Sequence, residues 1–216
     1  SRSIGVSLIN IQDNTKIDRT KIRCIDLINL YSRYFQSGVS RKILDNMASG
    51  FIMEGEKLSR EDVLKLLSFN HKNFSGVDFS DNNYSALKFD FCNLSMANFD
   101  NSILIKAKFN HSVVSWANFN QAKLQGSDFS YINSDKVSFV GSDISYGIFK
   151  SAKLNGADFT DATMEYVDLS TAHIQLSNFQ GVILDGSMLR GGKFIEVDFC
   201  NSKLKKVNVN NASFIN

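Results

Sequence analysis

The side chains able to do nucleophilic, acid–base or metal chemistry in this 216-residue chain are few and scattered. Three histidines (His71, His111, His173) and three cysteines (Cys24, Cys92, Cys200) are the obvious candidates. A metal site needs about four ligands at short, paired spacings, and a thiol nucleophile needs a base beside it. The cysteines form no CxxC pair, are odd in number and give no disulfide framework, which fits a reducing compartment. No glycine-rich phosphate loop occurs, and the 22 carboxylates are spread as a solvated surface requires. The residues therefore predict a non-enzymatic chain with no catalytic residue, no cofactor and no metal. The 24 basic residues leave a net charge of only +2, too little to imply a nucleic-acid or membrane partner. No apolar run reaches the roughly 18 residues of a membrane span, and no signal peptide is visible. The first residue is Ser1 rather than Met, so a processed or truncated chain is expected.

What remains is a question of which elements present these side chains, and the answer lies in a repeat. Starting at Phe74 and stepping by five, 29 consecutive positions run to Phe214 in one unbroken frame, and all but Ser134 are large and apolar. Two residues before these centres, from Val77 to Ala212, lie nine Ala, seven Ser, six Val, two Gly and Cys92, with Asn82, Leu87 and Ile132 as exceptions. Residues at i and i−2 point to one side of an extended chain. A strict period of five is neither the helical 3.6 nor the strand 2, so each unit reads as a short extended step followed by a turn.

Units such as Ala157-Asp158-Phe159-Thr160-Asp161 and Ala97-Asn98-Phe99-Asp100-Asn101 resemble the A(D/N)(L/F)XX unit of pentapeptide-repeat proteins. That resemblance covers about two-thirds of the chain. It implies an all-β solenoid, a right-handed quadrilateral β-helix with four units per coil, here about seven coils and about 34 Å long. Residues twenty apart should then stack, and by type they do: Phe79, Phe99, Phe119, Phe139, Phe159, Phe179 and Phe199 share one face. Phe89, Phe109, Phe129 and Phe149 begin the opposite face, with aliphatic walls between. The Asp or Asn that recurs just before the centres of the Phe79 face, Ser138 excepted, is expected to bond the turn backbone.

Three segments follow from this frame. Residues 1–17 carry little pattern and are expected to be a poorly ordered or irregular tail. Residues 18–72 have helical spacing and are expected to form a small N-terminal α-helical cap or module, and residues 73–216 the β-helix. Ser59-Arg60-Glu61-Asp62 opens the last of the helices with a capping-box-like start. A solenoid needs its open end covered.

The informative positions are outward ones that break the polar rule. Phe91, His111 and Tyr131 share one corner, Met96 and Trp116 the next, and Val113 the wall between them. This clustered patch is either a protein-binding surface or the seat of the N-terminal helices. Tyr146 and Tyr166 form a weaker candidate at a third corner. Arg190, Lys193, Lys203, Lys205 and Lys206 make the last coils basic, either as a solvated end or as a contact for an acidic partner. The C-terminal coil has no capping helix, so it is covered by a second copy in a homodimer or the parent protein continues.

The layout resembles pentapeptide-repeat effectors that bacteria deliver into host cells by type III-like secretion. That resemblance implies a protein-interaction scaffold acting on a host protein, made in the bacterial cytoplasm and secreted, with a role in virulence. Two alternatives stay open. One is a Qnr- or MfpA-like DNA mimic that binds DNA gyrase or topoisomerase, against which stand the −2 charge of residues 74–216 and the lack of a dense acidic stripe. The other is the β-helix portion of a larger effector ubiquitin ligase.

Overall fold

The computed structural model describes residues 55, 57–68 and 72–216. The tail expected over 1–17 and the first two expected helices lie outside the described residues. From residue 73 onward the chain is a four-sided parallel solenoid. Bridges join residues twenty apart on all four walls, as in Asn73↔Asn93, Asp78↔Asn98, Asn83↔Ile103 and Lys88↔Lys108. At twenty residues per coil, residues 73–216 make about seven coils. The walls are named here by their first centres: Phe74, Phe79, Tyr84 and Phe89.

Most corners are tight turns, those after Ser134, Leu154, Ile174 and Phe194 being open. The N–H of Ala97 donates to the Leu94 carbonyl at 3.0 Å and that of Cys92 to Phe89 at 3.1 Å. The residue two after each centre has positive φ, as at Phe91 (61°) and Met96 (59°), which is the geometry of a type II turn. Between corners the backbone bonds to the neighbouring coil, with Phe79 N–H on the Asn98 carbonyl at 2.7 Å and Asn98 N–H on the Val77 carbonyl at 2.9 Å. The Asp and Asn of the Phe79 wall hold the turns. The N–H of Ser80, Thr160 and Cys200 donates to Asp78, Asp158 and Asp198 at 2.9, 2.9 and 2.8 Å. The Asn98 amide also donates to Asp78 on the coil before it, at 3.2 Å.

The centres fill the interior. Phe99 stacks on Phe79 and Phe119 with centroids 4.5 and 4.7 Å away, and Phe109 on Phe89 and Phe129 at 5.3 and 4.6 Å. The two ladders meet edge to face, with Phe99 and Phe109 at 5.9 Å and 86°. This is the arrangement that the ring quadrupoles favour, and it leaves each ring fully buried.

The first coil is covered from the N-terminal side. Gly55 N–H donates to the Gly76 carbonyl at 2.7 Å and Leu58 N–H to that of Asp78 at 3.2 Å, so the ladder starts before residue 73. Helix α1 (Arg60–Ser68) follows. Ser59 Oγ accepts the Asp62 N–H at 3.2 Å while Asp62 Oδ2 accepts the Ser59 N–H at 3.2 Å, a reciprocal cap. Leu58 and Val63 are buried on the coil, and the Tyr84 hydroxyl donates to the Leu58 carbonyl. Burial pushes the Tyr84 phenol well above its ordinary range.

One wall departs from the pattern. From Ser134 on, the Phe74 wall is a five-stranded parallel sheet: β1 (Asn133–Asp135), β2 (Lys153–Asn155), β3 (His173–Gln175), β4 (Lys193–Ile195) and β5 (Ser213–Ile215). Its register is again twenty, Ser134 opposite Leu154 and Leu154 opposite Ile174. At the junction the Ser134 hydroxyl accepts the Val114 N–H at 2.9 Å, so a side chain completes the ladder where the wall changes conformation. The only polar centre in the frame therefore has a structural reason.

Candidate functional site

The aromatic patch is built from the corners. In a type II turn the residue two after the centre must take positive φ, where Gly or Asn is cheapest and a bulky side chain is strained. Here Phe91, Met96, His111, Trp116 and Tyr131 all occupy that position, with φ between 56° and 62°. His111 stacks on Phe91 and on Tyr131, each pair 4.9 Å apart and within 6° of parallel. Phe91 is 66 % exposed, Trp116 58 % and Tyr131 49 %. Met96, on the corner of Trp116, and Val113, on the wall between the two corners, are also exposed. The Lys136 ammonium sits 4.5 Å from the Trp116 ring centroid, a cation–π contact one coil along. Lys136 was not among the sequence candidates, although its position twenty residues after Trp116 carries the signal.

The weaker candidates divide. Tyr146 and Tyr166 stack at 5.2 Å on the corner after the Tyr84 wall, and Tyr166 lies flat over Gly186. A Cβ at Gly186 would come 2.5 Å from the Tyr166 ring. The basic end does not form one cluster. Lys203, Lys205 and Lys206 belong to the Tyr84 wall and its corner, Arg190 to the Phe89 wall and Lys193 to the Phe74 wall, opposite the first three.

Reactive groups are equally dispersed. His111 is in the aromatic stack, while His173 is exposed in β3 on the Phe74 wall. Cys92 is buried and its thiol is pushed up to about 12 by that burial, with Asp90 adding to the effect and Lys72 opposing it. Cys200 is exposed, and its hydrogen bond to Asp198 followed by the charge of that carboxylate raises its thiol above the ordinary value. Neither is an activated thiolate. Among the described residues no three His, Cys, Asp or Glu side chains come together as a metal site, and no helix is long and apolar enough to cross a membrane.

Two family models match the chain, "Pentapeptide repeats (8 copies)" over residues 85–121 and "Pentapeptide repeat region" over residues 115–189. The chain belongs to the pentapeptide-repeat proteins. No curated protein sequence matches it. Among solved structures it is similar to a pentapeptide-repeat protein of the Arabidopsis thaliana thylakoid lumen, at 25 % identity over 47 % of this chain and 67 % of that one, with a TM-score of 0.38. It is also similar to HetL of Nostoc sp. strain PCC 7120, a pentapeptide-repeat protein involved in heterocyst differentiation regulation (20 % identity, 72 % and 77 % covered, TM-score 0.30). A third is QnrB1, a plasmid-mediated fluoroquinolone resistance protein (18 % identity, 75 % and 88 % covered, TM-score 0.38). Pentapeptide-repeat chains are repeat scaffolds, generally structural or interaction proteins rather than enzymes.

Proposed function

We propose that this pentapeptide-repeat chain is a non-enzymatic scaffold that engages a partner protein through Phe91, Met96, His111, Val113, Trp116 and Tyr131. The observation that carries the reading is that bulky side chains occupy strained, exposed corner positions on consecutive coils. The left-handed corner is common to the fold and is borne equally by Asp81, Lys106, Gln121 and Lys136; what sets these corners apart is the apolar and aromatic surface they expose. Stacking fixes three of the rings before any partner arrives, which lowers the ordering cost of binding. Aromatic residues of this kind dominate protein interfaces.

The partner expected from the effector-like layout is a host protein, met after secretion from the bacterial cytoplasm. The test is capture from eukaryotic and bacterial lysates by the wild type and by Phe91→Asn/Trp116→Asn/Tyr131→Asn. Asparagine is tolerated at positive φ, so the variant keeps its circular dichroism and thermal transition. A eukaryotic protein held by the wild type and lost by the variant supports the reading. Equal capture by both rejects the patch, and capture of gyrase favours the DNA-mimic reading. What supports that second reading is the Phe79 wall and its corner, which carry Asp78, Asp81, Asp100, Asp158, Asp161 and Asp198, although the coils of Asn118, Ser138 and Asn178 interrupt the acidic run.

A homodimer through the last coil is a separate proposal. Leu204, Val209, Phe214 and Ile215 are exposed there. Sedimentation equilibrium of the wild type and of Phe214→Asp/Ile215→Asp tests it, with a monomeric wild type as the refuting result.

A further inference from the structure

Below Tyr131 the Phe74 wall carries a different surface. Its outward side chains form two columns along the sheet, one of Asn133, Lys153, His173 and Lys193, the other of Asp135, Asn155, Gln175 and Ile195. Between them a groove of about 250 Å³ crosses the strands. The second column is tied into a ladder, with the Asn155 amide donating to Asp135 at 3.0 Å and that of Gln175 to Asn155 at 3.3 Å. The first column is basic and free. Among the described residues neither Lys153 nor Lys193 has a carboxylate at ion-pair distance. Asp135, at one end and already engaged, is the only acid lining the groove.

We propose that this groove binds an extended acidic segment of a partner protein, its carboxylates held by Lys153, His173 and Lys193 and its main chain by Asn155 and Gln175. Charge complementarity argues for the sign of the ligand, and spacing for its form. Lys153 and Lys193 are two rungs apart, about 9.6 Å at the inter-strand distance. A polyproline II peptide brings every third side chain to one side at intervals of about 9.3 Å. Acidic residues at every third position therefore meet the two lysines, with His173 between them. A nucleic acid fits less well, because Asp158, Asp161 and Asp198, on the adjoining Phe79 wall and its corner, would repel a phosphate chain wider than the groove.

The proposal rests on the scaffold reading but uses a surface separate from the aromatic patch. The experiment is fluorescence anisotropy at low ionic strength with a short labelled peptide bearing Glu at every third position, and its Gln counterpart. The Glu peptide binds and the Gln peptide does not. Lys153→Glu/Lys193→Glu weakens binding by about tenfold or more. Lys123→Glu/Lys203→Glu, equally exposed on the opposite wall, leaves it unchanged. No binding by the wild type, equal binding of the two peptides, or equal loss in the opposite-wall variant overturns the proposal. Tighter binding of a single-stranded oligonucleotide of the same charge, lost in the same groove variant, overturns the choice of a peptide. The Phe91→Asn/Trp116→Asn/Tyr131→Asn variant keeps its peptide affinity, so failure of the groove leaves the patch standing, and the reverse.

Discussion

On the repeat pattern alone, replacing Ser134 by alanine should stabilise the protein, because Ser134 is the only polar residue among the inward centres. The hydrogen bonding predicts the opposite. Ser134 Oγ is the acceptor for the Val114 N–H at 2.9 Å, and Val114 is fully buried. Without the hydroxyl that N–H is left unpaired out of reach of water, which costs about 1–3 kcal/mol. Ser127 provides the contrast. It sits at a small inward position and is fully buried, but its hydroxyl has no partner among the described residues. Ser127→Ala removes an unpaired polar atom and should stabilise by about 1 kcal/mol. The two substitutions are chemically identical, so the transfer of Ser to Ala cancels and the difference of roughly 2–4 kcal/mol reports hydrogen bonding. For a chain of this length each kcal/mol moves the thermal midpoint by about 2–4 °C. Urea titration suits a solenoid better, and the single tryptophan, Trp116, lies on the coil concerned. Its fluorescence and the circular dichroism should both move to lower urea for Ser134→Ala and to higher urea for Ser127→Ala. A Ser134→Ala variant as stable as the wild type, or more so, would refute the reasoning.

Gly186→Ala should cost about 1–2 kcal/mol, since the glycine has a φ of +73° and its new Cβ meets the Tyr166 ring at 2.5 Å. In a Tyr166→Ala background the steric part should vanish, so a double-mutant cycle without coupling sinks this account. In a Cys24→Ser background, a thiol reagent should label Cys200 in the folded protein and reach Cys92 only on unfolding. Asp198→Asn should speed the Cys200 reaction by removing the carboxylate that raises its thiol, and an unchanged rate would count against that contact. Acid should destabilise the fold through the turn carboxylates. Burial pushes Asp78 up, but hydrogen bonds from the Ser80 backbone and hydroxyl, the Lys57 charge and the Asn98 amide outweigh it and leave the group below 3.8. The Cys200 N–H does the same for Asp198. A lowered folded value gives stability that is complete above 3.8 and lost as pH falls through the lower value. The urea midpoint should therefore hold from pH 7 to about 5 and fall below about 4, less steeply in Asp78→Asn; a midpoint that rises in acid would contradict this.

The fold was legible because a solenoid converts sequence offset into distance. Once five residues make a side and twenty a coil, Phe79 must lie over Phe99 and Phe89 over Phe109, whatever the rest of the chain does. The Ser59 cap of α1 was legible for a similar reason, since its partners are three residues apart. The patch residues were found as apolar side chains at outward positions, and the register placed Phe91, His111 and Tyr131 on one corner. Tertiary structure decided what passes between coils and around the walls. That bulky residues bear positive φ follows from the turn geometry. That Ser134 is an acceptor follows from a change of backbone conformation on one wall, which no residue type announces by itself. The groove beside Lys153, His173 and Lys193 needed the same knowledge, because a polar outward residue reads as ordinary solvated surface until its neighbours twenty residues away and its missing counter-charges are seen together. The basic end shows the converse: five cations close in sequence were divided among three walls, because each coil turns the chain through four sides before it returns.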